Sequence, residues 1–358
     1  MPYWSWQDHR AEVIKLIHPL TNQDPHAFGW PLIADVLPLC RAVFTSDALE
    51  IAPEYLPVEV LTGFASAKRR VYLTATLADD GVLVKDFAAD PNTIADPVAP
   101  ANAGDIGDRL IVIPQEIVPE ATEGDVRELV AKFAQDRNVV VIVPSKVRAD
   151  VWVEHGAKVF DRTNIKEGVE ELRSGKHVGL VIFVNRYDRV DLPGDACHIL
   201  VIDGLPEALG GIDRLDEAQL AGSDALLRRQ LQRVEQGMGR AVRSNDDYCV
   251  VLLMGSRMTE RLLRPGAEES MSPATRAQMA LSRKIAAKIH GGGLDQLVEV
   301  IEQVLGRDKG WIQTSRTRLS SLRYEHSVVD PVTVARRRAF ELAARDRWTE
   351  RSQRYRRR

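Results

Sequence analysis

The chain has 358 residues, 44% of them apolar and 28% charged, enough for one large or two modest domains of ordinary globular composition. No apolar run approaches the roughly 18 residues that cross a bilayer, and the start MPYWSWQDHR lacks the basic, apolar and small-residue succession of a secretory signal. Three cysteines, Cys40, Cys197 and Cys249, lie far apart in no metal-ligand spacing. They predict a reducing, cytoplasmic setting, with Cys197 and Cys249 packed as small apolar groups on strands and no metal site.

Charge is uneven. The 48 basic and 51 acidic residues leave −3 overall, but 307–358 hold 15 basic against 6 acidic, which leaves 33 against 45 for the rest. A basic end on an acidic body reads in two ways. It is a tail that meets polyanions, its arginines on phosphates and Trp348 and Tyr355 offering stacking faces, or a helix whose apolar positions, such as Phe340 and Leu342, dock and leave the arginines solvated.

Along the chain, residues 1–70 are mixed, with Trp4, Trp6 and Trp30 among several prolines. VYLTATL (71–77) predicts a buried strand entering a turn, and RLIVIP (109–114) another after a loop rich in Ala, Asp, Pro and Gly. From about 120 the pattern becomes regular. Helical stretches at 124–135, 146–155, 165–173 and 224–242 alternate with apolar runs at 138–144, 158–160, 179–184, 197–203 and 248–254. Apolar runs without alternation, separated by helices, are strands buried on both faces of a parallel sheet. Residues 120–255 therefore predict a doubly wound α/β domain, followed by helices broken at 291–293 and at Gly306.

The chemistry concentrates in QGMGRAVR, Gln236 to Arg243, at the end of the 224–242 helix. Arg240 and Arg243 lie three apart, so on a helical turn they share a face, with Gly239 beside them to admit a close backbone. Two guanidiniums so placed suit a polyanion, although arginine pairs on helices usually face solvent.

QGMGRAVR resembles the Q-x-x-G-R-x-x-R signature of superfamily 2 (DEAD/DEAH-type) helicases, most closely the branch related to XPD and DinG. The resemblance implies that Arg240 and Arg243 are arginine fingers for the γ-phosphate of ATP held by a first RecA-like domain. It also implies that Gln236 is an inter-domain contact, with Gly239 beside the nucleotide. Three further segments fall in family order. Thr74, Ala75 and Thr76 resemble the element that couples nucleotide state to nucleic acid. VVVIVPS (139–145) resembles the strand that presents Ser145 and Lys146. NRYDRVDLPGDACHILVIDGLP (185–206) resembles the segment whose aspartate, here Asp191, lies near the nucleotide sugar, with Asn185 and Arg186 touching nucleic acid. Many relatives have Gly where this chain has Arg189. Read alone, Asp191 is a loop-capping carboxylate.

The sequence contains no G-x-x-x-x-G-K-[S/T] phosphate loop. SGKH (174–177) has His177 in place of the hydroxyl and Glu170 in place of the first Gly, and reads as a helix-end turn. DEAQ (216–219) imitates a Walker B box without a preceding apolar strand. The implied architecture is a remnant of a first RecA-like lobe with its linker (1–115), a second RecA-like domain (116–256) and a helical extension with a basic tail (257–358). The implied function is the C-terminal motor portion of an ATP-dependent helicase or translocase on DNA or RNA. ATP and Mg²⁺ would bind only with an N-terminal half or subunit carrying Walker A and B. No iron–sulfur cluster and no membrane contact are expected, and the isolated chain is expected not to hydrolyse ATP. A non-catalytic module that binds nucleic acid or a partner is the alternative.

Overall fold

In the computed structural model, residues 3–20, 26–73, 81–98, 107–187, 191–192, 194–208, 210–242, 246–322 and 329–356 are described. Their elements run in chain order as α1 (Tyr3–Ile17), α2 (His26–Ile33), β1 (Cys40–Phe44), β2 (Leu49–Pro53), α3 (Thr62–Ala65), α4 (Gly81–Phe87), α5 (Pro91–Ile94), β3 (Asp108–Val112) and α6 (Pro114–Ile117). Then come α7 (Glu123–Phe133), β4 (Val139–Val143), α8 (Lys146–Val153), β5 (Lys158–Phe160), α9 (Ile165–Arg173), β6 (Leu180–Val184), β7 (Ile199–Asp203), α10 (Gly211–Gln219), α11 (Asp224–Met238) and β8 (Tyr248–Met254). Helices α12 (Ser256–Leu262), α13 (Pro273–Ile289), α14 (Gly293–Leu305), α15 (Lys309–Ser320) and α16 (Pro331–Arg356) complete the chain.

Two compact units result, rather than three consecutive segments. One comprises Met1–Val98, Ala208–Gln219 and His326–Arg358, the other Ala99–Glu207 and Leu220–Glu325. In the first, β1 and β2 pair as an antiparallel hairpin, from Cys40↔Pro53 to Phe44↔Leu49. The Glu50 carboxylate accepts the Gly211 and Ile212 N–H groups, the second at 3.0 Å, and so satisfies the first turn of α10. Arg41 joins Glu54 at 3.2 Å and also Asp216. DEAQ is thus part of a helix tied to the hairpin and does not end a strand. Trp6, Val36, Leu37, Cys40 and Tyr55 form a core with Phe340 and Ala344 of α16. Burial pushes the Cys40 thiol up to about 12, so it acts as an apolar group.

The second unit holds six strands, all parallel, in the order β3-β8-β7-β4-β6-β5. The unalternating apolar runs become strands covered on both faces, because successive side chains point to opposite sides. Val140 and Ile142 enter one core with Leu227 and Leu231 of α11, while Val139, Val141 and Val143 enter the other with Trp152 of α8 and Ile301 of α14. This is the parallel α/β sheet that the pattern predicts, and it agrees with the RecA-like fold that the resemblance implies.

Four details differ from the sequence reading. The strand beginning at Arg109 is not part of a first lobe but the edge of this sheet, paired with β8. Helices α12 to α15 belong to the sheet unit and α16 to the other, so the 257–358 extension is split. Helix α11 stops at Met238, not 242. Val71–Leu73 carry no regular structure, and the rest of VYLTATL, with Thr74 and Thr76, lies outside the described residues. The SGKH segment is the expected turn: Ser174 caps the end of α9 and Gly175 adopts φ +72°.

The β3 flank is held by buried polar groups. Arg109 donates from Nε to Gln278 Oε1 (2.7 Å) and from Nη2 to the Thr275 hydroxyl (3.0 Å), and Ser282 Oγ accepts the Ile111 N–H (2.9 Å). Asp108 accepts from Ser315 at 2.7 Å and pairs with Arg307 at 2.9 Å. Burial lowers the Arg109 pKa, yet its donors find partners, as a buried guanidinium requires.

Candidate functional site

Because all six strands run the same way, their C-terminal ends gather on one edge, where the connecting turns can converge on a ligand. Val143 pairs with Val184, so Ser145 and Asn185 follow neighbouring strand ends. The Asn185 N–H donates to the Val143 carbonyl at 2.7 Å and the residue adopts φ +53°, a left-handed conformation that asparagine tolerates. Its Oδ1 is buried without a hydrogen-bond partner among the described residues, and so is Arg186 Nε. Two adjacent orphaned polar atoms at a sheet edge call for an outside partner.

Ser145 stands at the start of α8 but makes no side-chain cap. Lys146 is exposed and pairs with Asp161 at 2.8 Å, across the ends of β4 and β5. That bond, with the Thr163 hydroxyl and N–H, holds the Asp161 carboxyl well below the usual carboxylate range.

Behind this edge lies a cluster that the sequence reading did not single out. Asp203, fully buried at the end of β7, accepts from Arg148 Nη2 at 2.5 Å and from Trp152 Nε1 at 2.7 Å. Arg148 also reaches Glu123 at 2.6 Å. Burial opposes its charge, but Asp203 and Glu123 together outweigh this and hold its pKa above the ordinary value. Next to it Gly204 adopts φ +107°, and a Cβ there would lie 3.1 Å from the Pro144 ring. The readable signal was an aspartate ending an otherwise wholly apolar strand.

The second group forms at the end of α11. Ser223 caps the helix start by accepting the Leu226 N–H, and Leu227, Leu231, Val234 and Met238 bury one stripe against the sheet. The close approach falls on Gly237, not Gly239. A Cβ on Gly237 would meet Ile202 and Tyr187 at 3.1 Å, whereas one on Gly239 meets nothing nearer than 3.6 Å. Since α11 ends at Met238, Arg240 sits in the turn that follows and not on the helix itself. Arg243 lies outside the described residues.

The loop after β6 holds Arg240 instead. Its Nε donates to the Tyr187 carbonyl (3.1 Å), its Nη1 stands 3.5 Å from Asp191 Oδ1, and its own carbonyl accepts the Leu192 N–H (3.0 Å). Arg173 clamps the same loop by donating from Nε and Nη2 to the Asp191 carbonyl, at 3.0 and 2.8 Å. Tyr187 is buried, its hydroxyl donating to the Gly204 carbonyl at 3.1 Å, and burial pushes that hydroxyl's pKa up. Tyr187 thereby links the Arg240 turn to the strand edge, a role with no sequence signal beyond an aromatic in a polar loop. Gln236 is exposed. Of the predicted residues, the structure brings together Arg240 with Asp191, and Ser145, Lys146, Asn185 and Arg186 along the strand edge.

Among the described residues no cluster of His, Cys, Asp and Glu is arranged to hold a metal, and no helix is long and apolar enough to cross a membrane.

Residues 114–274 match the helicase C-terminal domain family. No curated protein matches the chain. Among solved structures, it is similar to S. tokodaii Xpd4 at 22% identity and a TM-score of 0.30, over 44% of this chain and 36% of that one. It is similar to an XPD helicase at 16% identity and a TM-score of 0.42, over 63% of this chain and 46% of that one. The chain thus spans less than half the length of either.

Proposed function

From a helicase C-terminal domain as premise, we propose that the chain supplies the second motor lobe of an ATP-dependent helicase or translocase acting on DNA or RNA. One observation carries the reading. The turn bearing Arg240 is joined to the loop bearing Asp191 and Tyr187 by three polar links, and Tyr187 in turn reaches the strand edge where Asn185 and Arg186 hold polar atoms with no partner among the described residues. A guanidinium that meets phosphate and an edge that meets a nucleic-acid backbone are thereby mechanically joined.

In this reading Arg240, with Arg243, acts as an arginine finger on the γ-phosphate of ATP, Gln236 faces the opposing lobe, and Asp191 and Gly239 lie beside the nucleotide. The transition state of phosphoryl transfer spreads negative charge over the equatorial oxygens, and such fingers accelerate it about 10³–10⁵-fold. Ser145, Lys146, Asn185 and Arg186 face the nucleic-acid backbone, and Thr74 and Thr76 couple the two events. The sequence has no phosphate loop, so residues of this chain do not fit Mg²⁺ and the β-phosphate, and no step through them is derived. Those groups fall to another polypeptide or segment that carries Walker A and B.

The test has two arms. The purified chain is assayed for ATP hydrolysis with and without a single-stranded oligonucleotide, then again with a P-loop-bearing helicase half added in trans. Turnover is expected only in the second arm, and Arg240→Ala should lower it about 10³-fold with little change in ATP affinity, because the finger acts on charge that develops in the transition state. Robust turnover by the chain alone that vanishes in Arg240→Ala would refute the division of labour. A second reading, a binding module that hydrolyses nothing, is favoured by the absent phosphate loop. Tight oligonucleotide binding with no turnover in either arm would select it.

A further inference from the structure

We infer that the groove between α13, α14 and α15 is a docking site for an acidic amphipathic helix of a partner protein. The groove encloses about 1000 Å³ and lies almost wholly beyond the residues that match the helicase domain. Its floor is aliphatic, made by Leu281, Ile285, Val300 and Val304. Its rim is cationic, with Lys284 and Lys288 four apart on α13 and Arg318 on α15. Among the described residues none of these three cations enters an ion pair. The acidic residue lining the groove, Asp308, is engaged as the cap of α15, accepting the Trp311 N–H at 3.0 Å.

Trp311 closes the apolar wall of the groove. It lines the groove at only 8% exposure, and its indole Nε1 is buried with no acceptor among the described residues. Buried indole N–H groups normally find a partner. This one is a donor that the three helices leave unmet.

The chemistry discriminates among occupants. A single nucleic-acid strand is gripped by stacking on exposed aromatic faces, and the aromatic ring here is buried above an aliphatic floor. A small anion would use the rim and leave the floor wet. An amphipathic helix uses both, its apolar stripe at i, i+3, i+4 and i+7 on the aliphatic floor and its carboxylates against the two lysines and Arg318.

Fluorescence anisotropy tests the assignment. A labelled synthetic helix of leucine and glutamate in that repeat is titrated with the full chain, beside a twin carrying lysine for glutamate and a single-stranded oligonucleotide as competitor. The acidic helix should bind saturably and the basic twin should not. The double variant Lys284→Glu/Lys288→Glu should weaken the acidic helix at least about tenfold and admit the basic one, since like charges across an interface repel. Both lysines are exposed, so the variant should melt like the parent by circular dichroism. Failure to bind, equal binding of both helices, or an unchanged affinity in the variant would overturn the proposal. Displacement of the helix by the oligonucleotide would do so too, by assigning the groove to nucleic acid.

Discussion

Two arginine-rich regions look alike in sequence and differ in what they do. In α16, Arg337 is turned inward with its side chain 3% exposed. It donates to the Leu56 carbonyl at 2.7 Å and the Lys85 carbonyl at 3.2 Å, and it pairs with Glu59 at 2.6 Å and Glu341 at 3.0 Å. After α11, Arg240 is 17% exposed, and its Nη1 stands 3.5 Å from the Asp191 carboxylate, which is itself 46% exposed. The first arginine is a structural joint whose three guanidinium nitrogens all donate to backbone or carboxylate. The second keeps part of its side chain in contact with solvent. The number of arginines in a segment therefore says little; how completely the fold satisfies each one decides whether it is available to a ligand.

The comparison is broken most severely by ending the chain at Asp330. That removes Phe340 and Ala344 from the core they share with Trp6, Leu37 and Tyr55, and losing a buried phenylalanine alone costs about 3–5 kcal/mol. Denaturant unfolding should show a lost or strongly shifted transition. Superimposable curves would mean that α16 contributes only charge. A single change, Arg337→Ala, strands Glu59 and two carbonyls and should cost about 3 kcal/mol. Its neighbour Arg338, 61% exposed, should change stability by less than about 0.5 kcal/mol as alanine. Equal effects at the two positions would erase the distinction between joint and surface.

At the other region, Arg240→Ala should cost no more than about 1 kcal/mol of stability, because a partly exposed ion pair contributes little. A loss as large as that of Arg337→Ala would make Arg240 a structural residue and undercut its availability to phosphate. The smallest effect concerns Lys146 and Asp161 at the strand edge. Asp161 is held below its ordinary value, so the pair stabilises the fold above the usual carboxylate pKa of about 3.9 and loses that contribution as pH falls through the lower folded value. Unfolding midpoints of the parent and Asp161→Asn should converge as the solution is acidified below about pH 4. Divergence would contradict the sign.

Much of the sheet unit was legible because its signals are local. VVVIV, LVIFV and YCVVLLM cannot be anything but strands covered on both sides, and Ser223 with the leucine stripe after it announces α11. Arg240, Asp191 and Asn185 were found because a contiguous motif carries them. Tyr187, Arg173 and the group of Asp203 with Arg148 and Trp152 were not, since each acts through a partner at least 17 residues away in the chain.

Periodicity and composition thus determined the parallel α/β sheet and the order of its elements, while the candidate fingers came from the resemblance of one contiguous motif. What only the tertiary structure decided is membership and direction: that β3 closes the edge of this sheet, that α10 and α16 join the hairpin, that Gly237 packs closely within the fold where Gly239 does not, and that Arg337 is buried while Arg240 stays partly exposed. A strand's face or a helix's stripe is set by neighbours two to four residues away, whereas the burial of a guanidinium depends on carbonyls and carboxylates brought to it from distant segments, which no local pattern encodes.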